Sequence, residues 1–189
     1  MTADLLQVLT PEGKVNGGAP PDLSADDLVR MYRNMAFLRT LDVRMLSLQR
    51  AGRIGFYGTA TGEEAAVIGS AMALEPQDWV FPALRQGGVA VLRGYSLSLL
   101  VAQNMGNSRD ILKGRQMPCH YSDRSVNQVS WSSVIATQIP HAVGAAYAAR
   151  YRGDKVVCIA YMGDGATSES DFHVACNFAG VWKVPVFLF

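Results

Sequence analysis

Apolar residues recur at helical spacing in four segments of the chain. The first begins with Ser-Ala-Asp-Asp at residues 24–27, which has the form of a capping box, and continues to Gly52. A second capping box, Thr-Gly-Glu-Glu at residues 61–64, opens the next helix, and residues 96–105 and 138–151 complete the series. The second and fourth helices are rich in alanine and glycine. Such helices suit a close contact with another helix or subunit, and equally a tightly packed core.

Short apolar runs at residues 79–81, 156–162 and 184–189 predict β-strands. The last two flank a helical pattern at residues 169–180, so they predict a strand–helix–strand unit with parallel strands and a right-handed connection. The fold class predicted is therefore α/β, with a parallel sheet flanked by helices.

The segment before the first helix differs from the rest in composition. Residues 11–23 contain three prolines and three glycines, which predicts an extended arm over residues 1–23 and a domain over residues 24–189. The chain ends directly after the apolar run at 184–189. We therefore expect a fragment of a longer chain, truncated at a core strand, with the C-terminal part of the domain missing.

Composition limits the classes of partner. The chain has 189 residues, of which 49% are hydrophobic and 17% charged, so either its core is large or apolar surface meets another subunit. The net charge is +1 and the basic residues are scattered, which excludes a nucleic-acid-binding surface. No apolar run is long enough for a membrane span.

The predicted compartment is the cytoplasm. The three cysteines lack metal-binding spacing and indicate a reducing environment. The first residues contain an early acid and no arginine before Arg30, which favours neither a signal peptide nor a transit peptide.

The strongest chemical signal is Gly-Asp-Gly at residues 163–165, directly after an apolar strand. Glycines permit a sharp turn and a close approach to a ligand, and the carboxylate of Asp164 stands at the carboxyl edge of the sheet. Ser-Glu-Ser-Asp at residues 168–171 has the form of a third capping box, whose free N–H groups would face the same point. This combination suits a magnesium-bound phosphate or diphosphate, although Gly-Asp-Gly also occurs in plain turns.

Six ordered segments extend this signal into a family resemblance. They are Gly52-Arg53-Ile54-Gly55-Phe56-Tyr57, Gly62-Glu63-Glu64-Ala65, Lys113-Gly114-Arg115-Gln116-Met117-Pro118, Ser132-Ser133, Ala136-Thr137-Gln138-Ile139-Pro140 and Gly163-Asp164-Gly165-Ala166. Over residues 24–189 the chain resembles the N-terminal half of the alpha subunit of a thiamine-diphosphate-dependent 2-oxo acid dehydrogenase. That subunit belongs to the first, decarboxylating component of the complex.

The resemblance implies thiamine diphosphate and Mg²⁺ as cofactors. It implies that Asp164 is a magnesium ligand and that the cofactor is bound by Arg85, Ser133, Ile135, Gly163, Asp164, Gly165 and Ala166. Arg85 matches an arginine that contacts the diphosphate, although a solvated loop arginine is the alternative. Leu84 departs from the family pattern, which has tyrosine there.

The resemblance also implies a monovalent-cation site, with potassium as the candidate ion. Ser132, Thr137 and Gln138 match its ligands, and hydrogen bonding at a helix start explains the same residues equally well. No catalytic residue is assigned within this chain, because the family's catalytic histidine matches nothing before Phe189 and its glutamate belongs to the beta subunit. We expect the 189 residues alone to be inactive.

The partners implied are a beta subunit, in a heterotetramer of two alpha and two beta subunits, the lipoyl domain of the acyltransferase component, and a small 2-oxo acid. Gly-Glu-Glu at residues 62–64, without a preceding histidine, favours branched-chain substrates such as 2-oxoisovalerate. The alternatives are a pyruvate- or acetoin-specific dehydrogenase subunit, or a truncated, non-catalytic interaction protein.

Overall fold

The structure of the protein, a computed structural model, describes residues 7–16 and 22–189, and it divides into two units, 1–33 and 34–189. In the first unit, residues 7–16 form a turn in which Leu9 and Val15 make an antiparallel bridge. The remainder of the predicted arm, residues 1–6 and 17–21, lies outside the described residues. The division into an arm of residues 1–23 and a domain of residues 24–189 stays a prediction.

Helices and three short strands account for the regular structure of the described residues. The α-helices are α1 (Ala25–Arg50), α2 (Glu64–Met72), α3 (Gly87–Leu92), α4 (Leu97–Met105), α5 (Gln138–Arg152) and α6 (Ser170–Trp182). Single turns of 3₁₀-helix occupy Arg124–Val126 and Asp164–Ser168. None of the helices in the described part of the chain is long and apolar enough to cross a membrane.

The strands form one parallel sheet, as predicted. They are β1 (Trp79–Phe81), β2 (Cys158–Ala160) and β3 (Val186–Leu188), in the spatial order β1-β2-β3. Val80 pairs with Ile159, and Ile159 pairs with Phe187, so β2 is the central strand. All three residues of β2 are buried. Together with the flanking helices, this confirms the α/β class, although each of the last two strands is shorter than its apolar run.

Of the three predicted capping boxes, only the first forms. The Ser24 hydroxyl oxygen accepts from the Asp27 N–H at 3.1 Å and donates to the Asp27 carboxylate at 2.6 Å. Thr61 instead donates to the carboxylate of Asp42 at 3.3 Å, and no side chain caps α2. The prediction at residues 168–171 is also wrong, because the 3₁₀ turn precedes α6 and Glu169, its N-cap, makes no side-chain hydrogen bond.

Two apolar clusters build the core of the second unit. The first joins the sheet to α5, where Ile139, Ala142 and Ala146 are fully buried against Cys158 and Ala160. The second joins α1, α3 and α4 to the loop between α4 and α5, and contains Met45, Leu100, Tyr121 and Trp131. The first cluster therefore positions the sheet, and the second positions the loop between α4 and α5.

Candidate functional site

A cleft of about 460 Å³ opens where β1 and β2 end and α5 begins. Parallel strands expose their carboxyl ends at one edge, which is where open α/β sheets bind ligands. The volume is in the usual range for small-molecule sites. The lining residues are Phe56, Ala83, Leu84, Ser132, Ser133, Val134, Ile135, Ala136, Gln138, Gly163, Gly165 and Ala166.

Most residues that the sequence singled out lie on this cleft. The lining includes five predicted cofactor-binding residues and two of the three predicted cation ligands: Ser133, Ile135, Gly163, Gly165, Ala166, Ser132 and Gln138. Arg85, Asp164 and Thr137 do not line it, but each is adjacent in sequence to a residue that does. The structure thus brings together three chain segments that are far apart in the sequence. The roles of these residues stay predictions.

The Gly-Asp-Gly segment leaves room for a ligand, but not through unusual backbone geometry. Gly163 has φ −90° and ψ 167°, and neither glycine has a positive φ, so the turn that follows β2 does not require glycine. A Cβ atom on either glycine would meet nothing within 4 Å. The glycines therefore keep space open beside the backbone, where side chains would occupy it.

Asp164 is exposed, and its carboxylate has no hydrogen-bond or ion-pair partner among the described residues. The Thr167 hydroxyl donates to the backbone carbonyl of Asp164 at 2.7 Å and so leaves the carboxylate unengaged. The described residues contain no group of three or more His, Cys, Asp or Glu able to hold a metal ion. A cation at Asp164 would consequently take most of its ligands from a bound anion or from water.

The segment before α5 is held in a strained conformation. Ala136 is fully buried with a φ of 69°, a left-handed value that costs a non-glycine residue about 1–2 kcal/mol. Ile135, directly before it, is 59% exposed and lines the cleft. The core contacts of Ala136 therefore stabilise a turn that leaves a large aliphatic side chain at the opening.

Gln138 ties the start of α5 to the segment after β2. Its side-chain amide N–H donates to the carbonyl of Tyr161 at 2.6 Å, and the residue is 5% exposed. The Ser132 hydroxyl oxygen accepts from the Val134 N–H at 3.1 Å. Thr137 is the N-cap residue of α5, but its side chain makes no capping hydrogen bond. The predicted monovalent-cation site at these residues stays a prediction.

Arg85 directly follows Leu84 of the cleft lining and is held by a neighbouring loop. Its guanidinium donates to the carbonyl of Thr59 at 2.6 Å, and its Nε lies 3.4 Å from the Glu63 carboxylate. A Cβ on Gly58 would lie 3.2 Å from Cγ of Leu84, so the loop also packs against the cleft lining. The hydrogen bond to the Thr59 carbonyl therefore holds the guanidinium of Arg85 in place, and other N–H groups of Arg85 are left to bind an anion.

One cleft contact involves a residue to which the sequence assigned no role. The Ser133 hydroxyl lies 2.7 Å from Nε2 of His120, a residue that is 4% exposed. Nδ1 of His120 lies 2.9 Å from the carbonyl oxygen of Pro118. No local pattern links His120 to Ser133 in the sequence, because the loop between them folds back through the second core cluster.

The comparisons with known proteins agree with the resemblance. A family model described as Dehydrogenase E1 component matches residues 32–189. The chain is 43% identical, over 98% of its length, to "2-oxoisovalerate dehydrogenase subunit alpha, mitochondrial" of Homo sapiens, of which it covers 42%. It is 46% identical, over 87% of its length, to "2-oxoisovalerate dehydrogenase subunit alpha 2, mitochondrial" of Arabidopsis thaliana, of which it covers 35%.

These matches show how much of its relatives' length the chain covers, and they bear on its predicted cellular compartment. The chain spans about two fifths of the length of the mammalian relatives it matches, 41% for the protein of Bos taurus. The prediction of a cytoplasmic location is contradicted, because these relatives are named as mitochondrial subunits. That prediction relied on unpaired cysteines and on missing targeting features near the first residue, and neither determines the compartment.

Proposed function

The chain belongs to the dehydrogenase E1 component family, and on this premise we propose that it is the cofactor-binding part of the alpha subunit of a 2-oxo acid dehydrogenase. The family depends on thiamine diphosphate. The observation that carries the proposal is the cleft, because Ser133, Ile135, Gly163, Gly165 and Ala166 line one space of about 460 Å³. The names of the relatives support a branched-chain substrate, 2-oxoisovalerate or a close analogue.

The residues present fit the cofactor's diphosphate end. Arg85, next to Leu84 of the cleft lining, has a guanidinium group, whose N–H groups suit phosphate oxygens. The glycines at 163 and 165 leave the backbone bare, so that main-chain N–H groups are accessible to an anion. We infer that Asp164 binds Mg²⁺ there, since its carboxylate is exposed and unpaired among the described residues.

The segment before α5 suits the cofactor's rings. Ile135 supplies an exposed aliphatic surface, and Ser133 supplies a polar atom. Thiamine diphosphate, when bound, supplies the carbanion chemistry by which a 2-oxo acid loses CO₂. The part of this chain in the reaction would be to bind and orient the cofactor and to exclude water, and Ile135 would hold the rings.

The remaining elements of the proposal concern partners and place. We propose a beta subunit that completes the site in a heterotetramer of two alpha and two beta subunits, a lipoyl domain as acyl acceptor, and a mitochondrial location. The monovalent cation at Ser132, Thr137 and Gln138, potassium in the first instance, belongs to the same proposal. The exposed aliphatic and aromatic side chains at the cleft, Ile135 and Phe56, support a partner surface nearby.

Substrate specificity tests the proposal. The complete alpha subunit, assembled with its beta subunit, is supplied with thiamine diphosphate and Mg²⁺, and reduction of an artificial electron acceptor is followed. We expect kcat/KM for 2-oxoisovalerate to exceed that for pyruvate by at least about tenfold, the discrimination that one or two methyl groups allow. Preference for pyruvate or acetoin would contradict the branched-chain assignment. Absence of activity with all three would support the non-catalytic alternative.

Replacement of Asp164 tests the metal assignment. In Asp164→Asn we expect the Kd of thiamine diphosphate, measured by calorimetry with Mg²⁺ present, to rise at least about tenfold, because Mg²⁺ prefers charged oxygen ligands. Asp171→Asn, which changes an exposed acid in the first turn of α6, is the matched control and should leave the Kd unchanged. Equal Kd values for the wild type and Asp164→Asn would refute magnesium binding by Asp164.

A further inference from the structure

His120 stands next to the proposed cofactor site without lining it. We propose that it is a positioning residue that takes the hydroxyl hydrogen of Ser133, so that Ser133 offers the bound cofactor an oxygen acceptor and not an O–H donor. The inference rests on the proposed thiamine diphosphate site. It assigns a role to a side chain that the sequence pattern left without one.

The direction of the hydrogen bonds follows from the chemistry of the groups. The carbonyl oxygen of Pro118 can only accept, so Nδ1 of His120, 2.9 Å away, carries a hydrogen and donates it. In a neutral imidazole the other nitrogen, Nε2, is then an acceptor. Nε2 lies 2.7 Å from Oγ of Ser133, so the hydroxyl of Ser133 is the donor. Its hydrogen points to His120, and its oxygen keeps lone pairs for the cleft.

The ring of His120 is held in place on several sides. It is 4% exposed, and its centroid lies 5.8 Å from that of Trp131. The segment before it is bound by Gln103 of α4, whose amide donates to the carbonyl of Met117 at 2.6 Å and accepts from the Cys119 N–H at 3.0 Å. A ring fixed in this way maintains one tautomer and one orientation, which is what a positioning residue requires.

The neighbouring serine shows that the arrangement is specific to Ser133. Ser132 also lines the cleft, but its oxygen accepts from the Val134 N–H at 3.1 Å, and its own hydrogen has no acceptor within the described part of the chain. Adjacent hydroxyls thus have opposite polarity, Ser132 as donor and Ser133 as acceptor. An acceptor suits thiamine diphosphate, whose thiazolium ring is cationic and whose aminopyrimidine carries N–H groups.

The test is a double-mutant cycle in the assembled alpha–beta protein, with the Kd of thiamine diphosphate as the readout. We expect His120→Phe to raise the Kd about fivefold, the usual worth of one neutral hydrogen bond. In the Ser133→Ala background, His120→Phe should have no further effect, because no hydroxyl is left to orient. His120→Gln, whose amide oxygen can accept the same hydrogen, should restore the Kd to within about twofold of the wild type.

His141→Phe, at an exposed histidine of α5, is the control and should leave the Kd unchanged. A His120→Phe effect of the same size with and without the Ser133 hydroxyl would overturn the inference, and so would an unchanged Kd in His120→Phe. If His120→Phe does not fold, by its thermal unfolding curve, His120→Leu, which likewise offers no acceptor, replaces it in the same cycle. A wild-type complex that binds no thiamine diphosphate would refute the proposed function itself. That result differs from a cycle in which the two substitutions act independently, which would refute only the role of His120.

Discussion

At the scale of single residues, two buried carboxylates fix the loop that carries the rim of the cleft. Asp42 of α1 is 1% exposed and accepts from the Tyr57 hydroxyl at 2.9 Å and from the Ala60 N–H at 2.8 Å. Burial raises the pKa of Asp42, an effect that these hydrogen bonds partly offset. Glu64 is paired with Arg39 and accepts from the Gly62 N–H at 3.0 Å. Sequence patterns place such residues on helices but do not indicate which residues they will bind.

The Glu64 pair gives a prediction for the dependence of stability on pH. The hydrogen bond from Arg39 lowers the pKa of Glu64 from 4.5 to about 2. Because the folded-state pKa is the lower one, this stabilisation is present above pH 4.5 and is lost as the pH falls toward 2. We expect Glu64→Gln to lower the Tm by a few degrees at pH 7, and the difference from the wild type to shrink as the pH falls below 4.5.

Glu75→Gln is the control for that measurement, since Glu75 is exposed and its side chain makes no hydrogen bond or ion pair within the described residues. Thermal unfolding followed by circular dichroism at several pH values gives both comparisons. A Glu64→Gln difference that stays constant down to the acid range would show that the ionised pair does not contribute.

At the scale of elements, α3 shows packing overriding local preference. Its sequence begins with two glycines, which are poor helix formers, and no periodic pattern predicted it. A Cβ on Gly88 would lie 2.7 Å from Leu38 and 3.0 Å from Val67. The helix therefore forms because its backbone packs against α1 and α2. A residue larger than glycine at position 88 would not fit there.

We predict opposite outcomes for two glycine-to-alanine changes. Gly88→Ala should destabilise the protein by about 1–3 kcal/mol, because overpacking outweighs the better helix propensity of alanine. Gly144→Ala, in α5 where a Cβ meets nothing within 4 Å, should be neutral or stabilising by up to about 1 kcal/mol. Denaturant unfolding of the two variants and the wild type measures both. A stabilising Gly88→Ala would contradict the packing at α3.

At the scale of the whole molecule, apolar side chains remain exposed on several surfaces. In β3, Phe187 is 54% exposed, and among the described residues this strand pairs on one side only, with β2. On α5 and α6, exposed Tyr147 and Phe178 pack against Trp182, with ring centroids 4.6 and 4.5 Å away. Such surface is typical of a contact with other protein. It accords with the proposed beta subunit.

This surface predicts the solution behaviour of residues 1–189 expressed alone. We expect self-association that increases with concentration, measured by light scattering after gel filtration, because an unpaired apolar strand edge is a template for pairing. Phe187→Lys, which places a charge on that edge, should reduce the associated mass. A monodisperse, cooperatively melting monomer of the unmodified residues would contradict the prediction.

Local patterns determined much of this protein from the sequence alone. Periodicity placed α1, α4 and α5, and short apolar runs placed the three strands. Ser24 and Gly52 marked the ends of α1, because the capping bonds and the left-handed turn involve adjacent residues. The helix ends and the strands depend on short-range geometry, which residue type and spacing specify. The residues that line the cleft were instead selected through the family resemblance that the ordered motifs carry.

Tertiary structure alone decided the rest, because the partners are distant in the chain. Thr61 was available to cap α2 but lies within reach of Asp42 and donates to it instead. Gly88 lies in a helix whose backbone packs closely against the Leu38 side chain. His120 meets Ser133 because the second core cluster folds the loop between them. A polar group takes whichever partner the packed core brings within about 3 Å, and no local pattern records that choice.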